Sequence, residues 1–431
     1  MFRTKPLAVM LLACVVQSVG HAAPTVSGNP LPQQPNSAPM SAAEDAYQRA
    51  LKALVAGKLE AAQLAFEQAL KADPKLAKAM LGLAEVAFKQ AQLPVATQWI
   101  ERAVQAEPRS SEAQASLGRS LALQGKTREA EGAFNRAMEL DPRASRPAVD
   151  LADLLYTRGD LAGAVTLYKK VLSLDPQHAG AHYALGLALA RQGDMSGARV
   201  EFDHAARLDM ANPLPRLAVA RWHASRNDFN SALDAVDQAL KRQPGLLDAQ
   251  MLRAEVLESL GKPDQALADY KKVIQGTPNA WPAHLRLGML AQRTGQHELA
   301  LNSYRKVIEL EPVQAVAYNN LAMLSIERKL DLAQAQTWAE KAVALQPSTP
   351  DYLDTLASVQ QARGQLPAAV TTLHKALGLA PERADILFHI AQLHAQLGEK
   401  SMAIESLRKA LGKGTFAQAA EAKKLLAQLE R

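Results

Sequence analysis
Small, large and helix-breaking residues return along this chain at a fixed interval of 34 residues. Prolines close successive copies at Pro74, Pro108, Pro142 and Pro176, then at Pro244, Pro278 and Pro312, and last at Pro347 and Pro381. With that proline at place 32, eleven units begin at residues 43, 77, 111, 145, 179, 213, 247, 281, 315, 350 and 384. Place 8 is never larger than alanine, as in Ala50, Gly118 and Ala152. Place 20 is alanine in every unit, from Ala62 to Ala403. Place 24 is mostly large, as in Phe66, Phe134, Tyr168 and Tyr304, and place 27 is Ala or Val. Places 20, 24 and 27 share one face of a helix. Two columns of small side chains, twelve residues apart, require two helix backbones to approach closely, and a bulkier residue would force them apart. Place 15 is glycine in eight units, which suits a helix ending through a left-handed residue; Ala91, Asn227 and Lys329 stand there in the others. The closing proline, often after Asp, stops the second helix. Each unit is therefore predicted as helix, tight turn, helix, in an array whose units pack only on their neighbours.

Three departures interrupt the pattern. Met210 replaces the proline closing unit five, and Thr415 replaces the last one. Unit nine carries an extra residue between Glu327 and Leu332, and has Ala339 at place 24 with Trp338 beside it. The units fill residues 43–416. Residues 417–431 read as a further amphipathic helix, with Leu425, Leu426 and Leu429 apolar, which caps the last hairpin.

These residues at places 8, 20, 24, 27 and 32 make the chain resemble the tetratricopeptide repeat family. The resemblance implies an all-α fold, a right-handed α-solenoid of about eleven hairpins with the first helices lining a concave groove. It also implies which side chains line that groove. Place 5 offers Tyr47, Leu81, Tyr183, Leu217, Met251, Leu285, Asn319 and Phe388; place 9 offers Leu187 and Met289, with Arg119 and Arg221 as charged anchors. Such a groove, mostly apolar and with adaptable methionines, suits an extended or helical segment of a partner protein. No unit pairs Lys at place 5 with Asn at place 9, so the relatives that hold chaperone C-termini are not matched.

The 49 Lys and Arg exceed the 43 Asp and Glu by six, but the signs alternate without a basic block, which argues against nucleic-acid binding. The N-terminus reads differently from the array. Residues 1–22 have the layout of a signal peptide: Arg3 and Lys5, an apolar run from Leu7 to Val16, then Gly20-His21-Ala22. Residues 23–42, with Pro24, Pro30, Pro32, Pro35 and Pro39, read as a flexible linker. The expected location is the periplasm of a Gram-negative-type envelope. Cys14, the one cysteine, leaves with the leader on this reading. The alternative is a lipobox, Leu11-Leu12-Ala13-Cys14, which would make the protein an outer-membrane lipoprotein. Membrane contact is expected only if Cys14 is lipidated or the leader retained.

Catalytic and cofactor signatures are missing from the sequence. Gly125-Lys126-Thr127 lacks the partner glycine of a phosphate loop, and falls in an inter-helix turn. No His-Glu-x-x-His, Cys-x-x-Cys or Gly-x-Ser-x-Gly occurs. The expectation is a non-enzymatic scaffold of the bacterial cell envelope, without metal or cofactor, that binds protein partners. The alternative is a component of an exopolysaccharide or protein secretion assembly, suggested by the wording around Asn319-Asn320-Leu321-Ala322 and Leu353-Asp354-Thr355-Leu356. A carbohydrate-binding groove is less favoured, because few aromatics line it.

Overall fold
The computed structural model describes residues 41–431, and these hold 23 helices and no strand. The predicted leader, Cys14 and most of the Pro-rich linker lie outside the described residues. The chain divides into two compact units, one running to Val219 and one from Ala220.

In the first unit the hairpins are α1 (Ala42–Val55) with α2 (Leu59–Ala72), α3 (Ala77–Lys89) with α4 (Leu93–Ala106), α5 (Ser111–Leu123) with α6 (Thr127–Leu140), α7 (Ser145–Arg158) with α8 (Leu161–Leu174), and α9 (Ala179–Gln192) with α10 (Met195–Leu208). Helix α11 (Leu214–Ser225) carries the division between the units. The second unit continues with α12 (Phe229–Arg242), then pairs α13 (Leu247–Ser259) with α14 (Pro263–Gly276), α15 (Trp281–Arg293) with α16 (His297–Leu310), α17 (Ala315–Glu327) with α18 (Leu332–Leu345), α19 (Pro350–Ala362) with α20 (Leu366–Leu379), and α21 (Ala384–Gln396) with α22 (Lys400–Gly412). Helix α23 (Ala419–Leu429) ends the chain. Each unit is a stack of helical hairpins.

The turns form as the glycine column requires. At α7, Gly159 adopts φ +92° and its N–H donates to the Tyr156 carbonyl, while the Asp160 N–H reaches back to Leu155 at 2.9 Å. This pair of bonds satisfies carbonyls that a helix end leaves open. Asp160 then caps α8, its carboxylate accepting from the Gly163 N–H at 3.0 Å. Asp194, Asp228 and Asp331 cap α10, α12 and α18 in the same way. The aspartate before the closing proline has a local role too: Asp141 accepts from the Arg143 N–H at 3.1 Å, which bends the chain toward the next hairpin. At the N-terminus, Ser41 caps α1 through the Glu44 N–H, so the first helix begins at Ala42, inside the segment read as linker.

The small columns sit where the two helices of a hairpin touch. All eleven place-20 alanines are fully buried. A Cβ built on Gly118 would lie 2.6 Å from the Phe134 ring, and one on Gly186 would lie 2.6 Å from Phe202. Glycine at place 8 thus makes room for the aromatic at place 24 of the same hairpin. In the second unit, Tyr270, Tyr304, Leu287, Leu290, Leu321 and Leu324 form one continuous core through three hairpins. Each such buried large side chain contributes roughly 1.5–3 kcal/mol. Phe416, Leu425, Leu426 and Leu429 lie on Leu387, Phe388 and Leu407, so α23 covers the open end of the last hairpin.

Candidate functional site
The candidate surface is the face of the first helices formed by places 5 and 9. In the first unit, Tyr47 is half-buried, with its ring 5.8 Å from Phe66 and the Lys78 ammonium 4.6 Å from its other side. Leu81 packs beside Trp99, and the Tyr183 ring lies 5.7 Å from Phe202. Leu187 is half-exposed. In the second unit Met251 and Leu285 lean on the core, while Met289 is 42% exposed. These side chains keep part of their apolar surface open, unlike the place-24 residues behind them. Asn319 has a buried side-chain oxygen without a hydrogen-bond partner among the described residues.

Two predicted groove residues belong elsewhere. Leu217 is only 5% exposed and is a core residue. Phe388 is 4% exposed because Phe416, just before α23, lies 6.1 Å from its ring and α23 packs in the same cluster. The open face therefore ends before the last hairpin.

The two anchor arginines already have partners. Arg119 donates to Asp150 at 3.0 Å and to Ser116 at 2.9 Å. Arg221 reaches Asp248 at 3.2 Å, with both side chains exposed. They belong to a wider set of ties between neighbouring first helices that was not foreseen. Arg286 meets Glu255 at 3.2 Å, Arg293 meets Glu258 at 2.6 Å, and His389 meets Asp354 at 2.7 Å. Arg253 lies deeper, held between Asp237 and the buried Asp269. Each of these pairs except the Arg253 set spans roughly one repeat length. A search for opposite charges at that separation would have found them.

Polar groups behind this face are also committed. Tyr168 donates to Asp153 at 2.5 Å. Burial pushes the Asp153 carboxyl up to about 6, against the Tyr168 hydrogen bond and with help from the nearby Asp150 charge. Burial likewise raises the Tyr168, Tyr270 and Tyr304 hydroxyls. The His182 ring is occupied on both nitrogens, by Glu201 at 2.6 Å and by the Pro176 carbonyl at 3.1 Å. His178 instead caps α9, accepting from the Ala181 N–H. His182 thus ties α9 to α10, while His178 closes the start of α9. Among the described residues no three His, Cys, Asp or Glu converge on a metal position, and no helix is long and apolar enough to cross a membrane.

Among curated proteins none matches the chain. Among solved structures, a chain of the APC/C hetero-tetramer Cut9–Hcn1 is 14% identical, with 91% of this chain and 97% of that chain covered and a TM-score of 0.45. PilF of Pseudomonas aeruginosa is 24% identical over 50% of this chain and 97% of its own, with a TM-score of 0.45. Yeast Tom70 is 14% identical over 90% and 95%, with a TM-score of 0.40. Repeat profiles describe the chain more directly. A tetratricopeptide repeat profile matches residues 47–111, 96–145, 218–280 and 355–430, a second matches 282–314, and a TPR repeat profile matches 152–193. The first of these covers more than half of the chain, and its matches fall on the hairpins described above. The chain belongs to the tetratricopeptide repeat family.

Proposed function
We propose that the protein is a non-enzymatic scaffold that holds partner proteins along the first-helix face, and that it works in the bacterial cell envelope after export. The observation that carries the reading is the contrast between two columns. Place 24 is sealed inside the hairpins, whereas Tyr47, Leu81, Leu187 and Met289 keep apolar surface toward solvent. Apolar side chains held open by a rigid backbone suit docking of a protein segment. Ion pairs also cross between neighbouring first helices there, as at Arg119–Asp150 and Arg293–Glu258. The envelope part of the proposal rests on residues 1–22 and their signal-peptide layout.

The test is in-cell crosslinking followed by purification, comparing the native chain with Leu187→Asp and Met289→Asp. Leu187 is half-exposed in the first unit and Met289 is open in the second, so each charge should spare the fold and remove the partners held by its own unit. Retention of all partners by both variants would overturn the reading. Intact mass of the mature chain decides the rest: loss of about 22 residues means cleavage, and a lipid-bearing Cys14 means the lipoprotein. A role in an exopolysaccharide or protein secretion assembly stays as the second reading, and the identity of the crosslinked partners decides it.

A further inference from the structure
The second unit gathers a row of cations that the linear sequence disperses. Place 26 is lysine in five consecutive hairpins, as Lys272, Lys306, Lys341, Lys375 and Lys409, and place 25 adds Lys271, Arg305 and Arg408. These positions lie on the side of the second helices away from the buried Tyr270, Tyr304 and Leu373. Seven of the eight are exposed, and Lys306 is partly so. Four are balanced: Lys272 meets Asp269 at 3.7 Å, Lys306 meets Glu309 at 2.6 Å, Lys409 meets Glu405 at 2.6 Å, and Arg408 meets Glu430 at 2.8 Å. Lys271, Arg305, Lys341 and Lys375 have no ion pair or hydrogen bond among the described residues.

The middle of this row is hollow. A shallow, open depression of about 480 Å³ lies there, lined by Tyr318 from α17 and by Thr337, Trp338, Glu340, Lys341 and Ala344 from α18. Its origin is the irregular ninth unit. Place 24 holds the buried Ala339, and the bulk has moved one position earlier to Trp338, which packs on the core while staying partly exposed. Two aromatic walls and an unpaired ammonium therefore share one depression.

We propose that this outer face docks an acidic segment of a partner protein. One aromatic or large aliphatic side chain seats against Trp338 and Tyr318, and carboxylates beside it meet Lys341 and Lys375. Apart from Tyr318, which lies on α17 one position before Asn319, the lining comes from the second helix α18. Charge complementarity selects the partner, and the aromatic walls select the anchor. The spacing disfavours a nucleic acid. Adjacent packed helices stand about 8–10 Å apart and the cations recur once per hairpin, whereas a duplex presents one phosphate per about 1.7 Å. Glu340 beside the hollow would also oppose so dense a polyanion.

The experiment measures binding of a labelled random copolymer of glutamate and tyrosine to the full chain, by fluorescence anisotropy at two salt concentrations. Binding is expected, weakening as salt rises. Polyglutamate without tyrosine should bind about tenfold more weakly, and the Lys341→Glu, Lys375→Glu double variant should lose about tenfold. Trp338→Ala should lose a similar factor, and Leu64→Asp, at an exposed position of α2 outside both surfaces, should change nothing. The lysines are exposed, so the double variant remains informative even if Trp338→Ala fails to fold. The proposal is overturned if the native chain does not bind the copolymer, if the lysine variant binds it equally well, or if RNA or polygalacturonate binds more tightly than the copolymer.

Discussion

Tyr168 donates its hydroxyl hydrogen bond to Asp153 across the fourth hairpin, at 2.5 Å. The tyrosine fills place 24 and the aspartate sits at place 9 of the facing helix, so two helices of one hairpin are joined by a buried hydrogen bond. Asp153 holds its proton up to about pH 6 because burial disfavours the charge. An unfolded aspartate lets go near pH 3.9. The folded chain thus binds the proton more tightly, so Asp153 opposes folding above pH 6, and that penalty fades as the pH falls toward 4. Asp153→Asn keeps the acceptor and removes the charge. It should raise stability at pH 7 by about 1–3 kcal/mol and leave it nearly unchanged at pH 4. Urea unfolding midpoints at the two pH values check this; equal shifts at both would show that the charge is not responsible.

The glycines at place 8 should be intolerant of even one carbon. Gly118→Ala puts a Cβ into the Phe134 ring and should cost about 1–3 kcal/mol. Gly132→Ala, in the neighbouring helix α6, meets nothing within 4 Å and should be stabilising by up to about 1 kcal/mol. Thermal unfolding of the two variants should therefore move in opposite directions.

Three turns carry a side chain where the backbone favours glycine. Ala91, Asn227 and Lys329 have φ of 59°, 59° and 51°. Lys329→Gly and Ala91→Gly should each stabilise by about 1 kcal/mol, because they remove left-handed strain. Asn227→Gly should gain less, since Asn adopts this conformation more readily. A ranking with Asn227 first would contradict the explanation.

Arg253 ties α12, α13 and α14 through Asp237 and the buried Asp269. Asp237→Ala leaves the arginine one partner, while Asp269→Ala removes the better-buried one. The second should cost more, about 3–5 kcal/mol if no water replaces the carboxylate. Denaturant midpoints of the two variants give the order directly.

The hairpin register could be read from the sequence because one physical demand writes it. The Phe134 ring leaves no room for a Cβ on Gly118, Ala130 is fully buried, and small residues recur at both places in each unit. The extra residue of unit nine was equally visible, and it does fall in the turn, where α17 ends at Glu327 and α18 begins at Leu332. The surface was less legible. Whether Phe388 is open depends on where α23 folds back, and Phe416 decides it. Arg119 reads as a free anchor until Asp150, 31 residues on, is brought beside it. The cations at place 26 look interspersed along the chain and become a row only when second helices stack in register.

Leu187 and Val200 lie on the two helices of the fifth hairpin, at place 9 and place 22, and Val200 is 49% exposed. A photo-crosslinking amino acid at each position, in cells, tests the docking face most directly. The account predicts a discrete protein adduct from position 187 and none from position 200. The same adduct from both, or from position 200 alone, would contradict it.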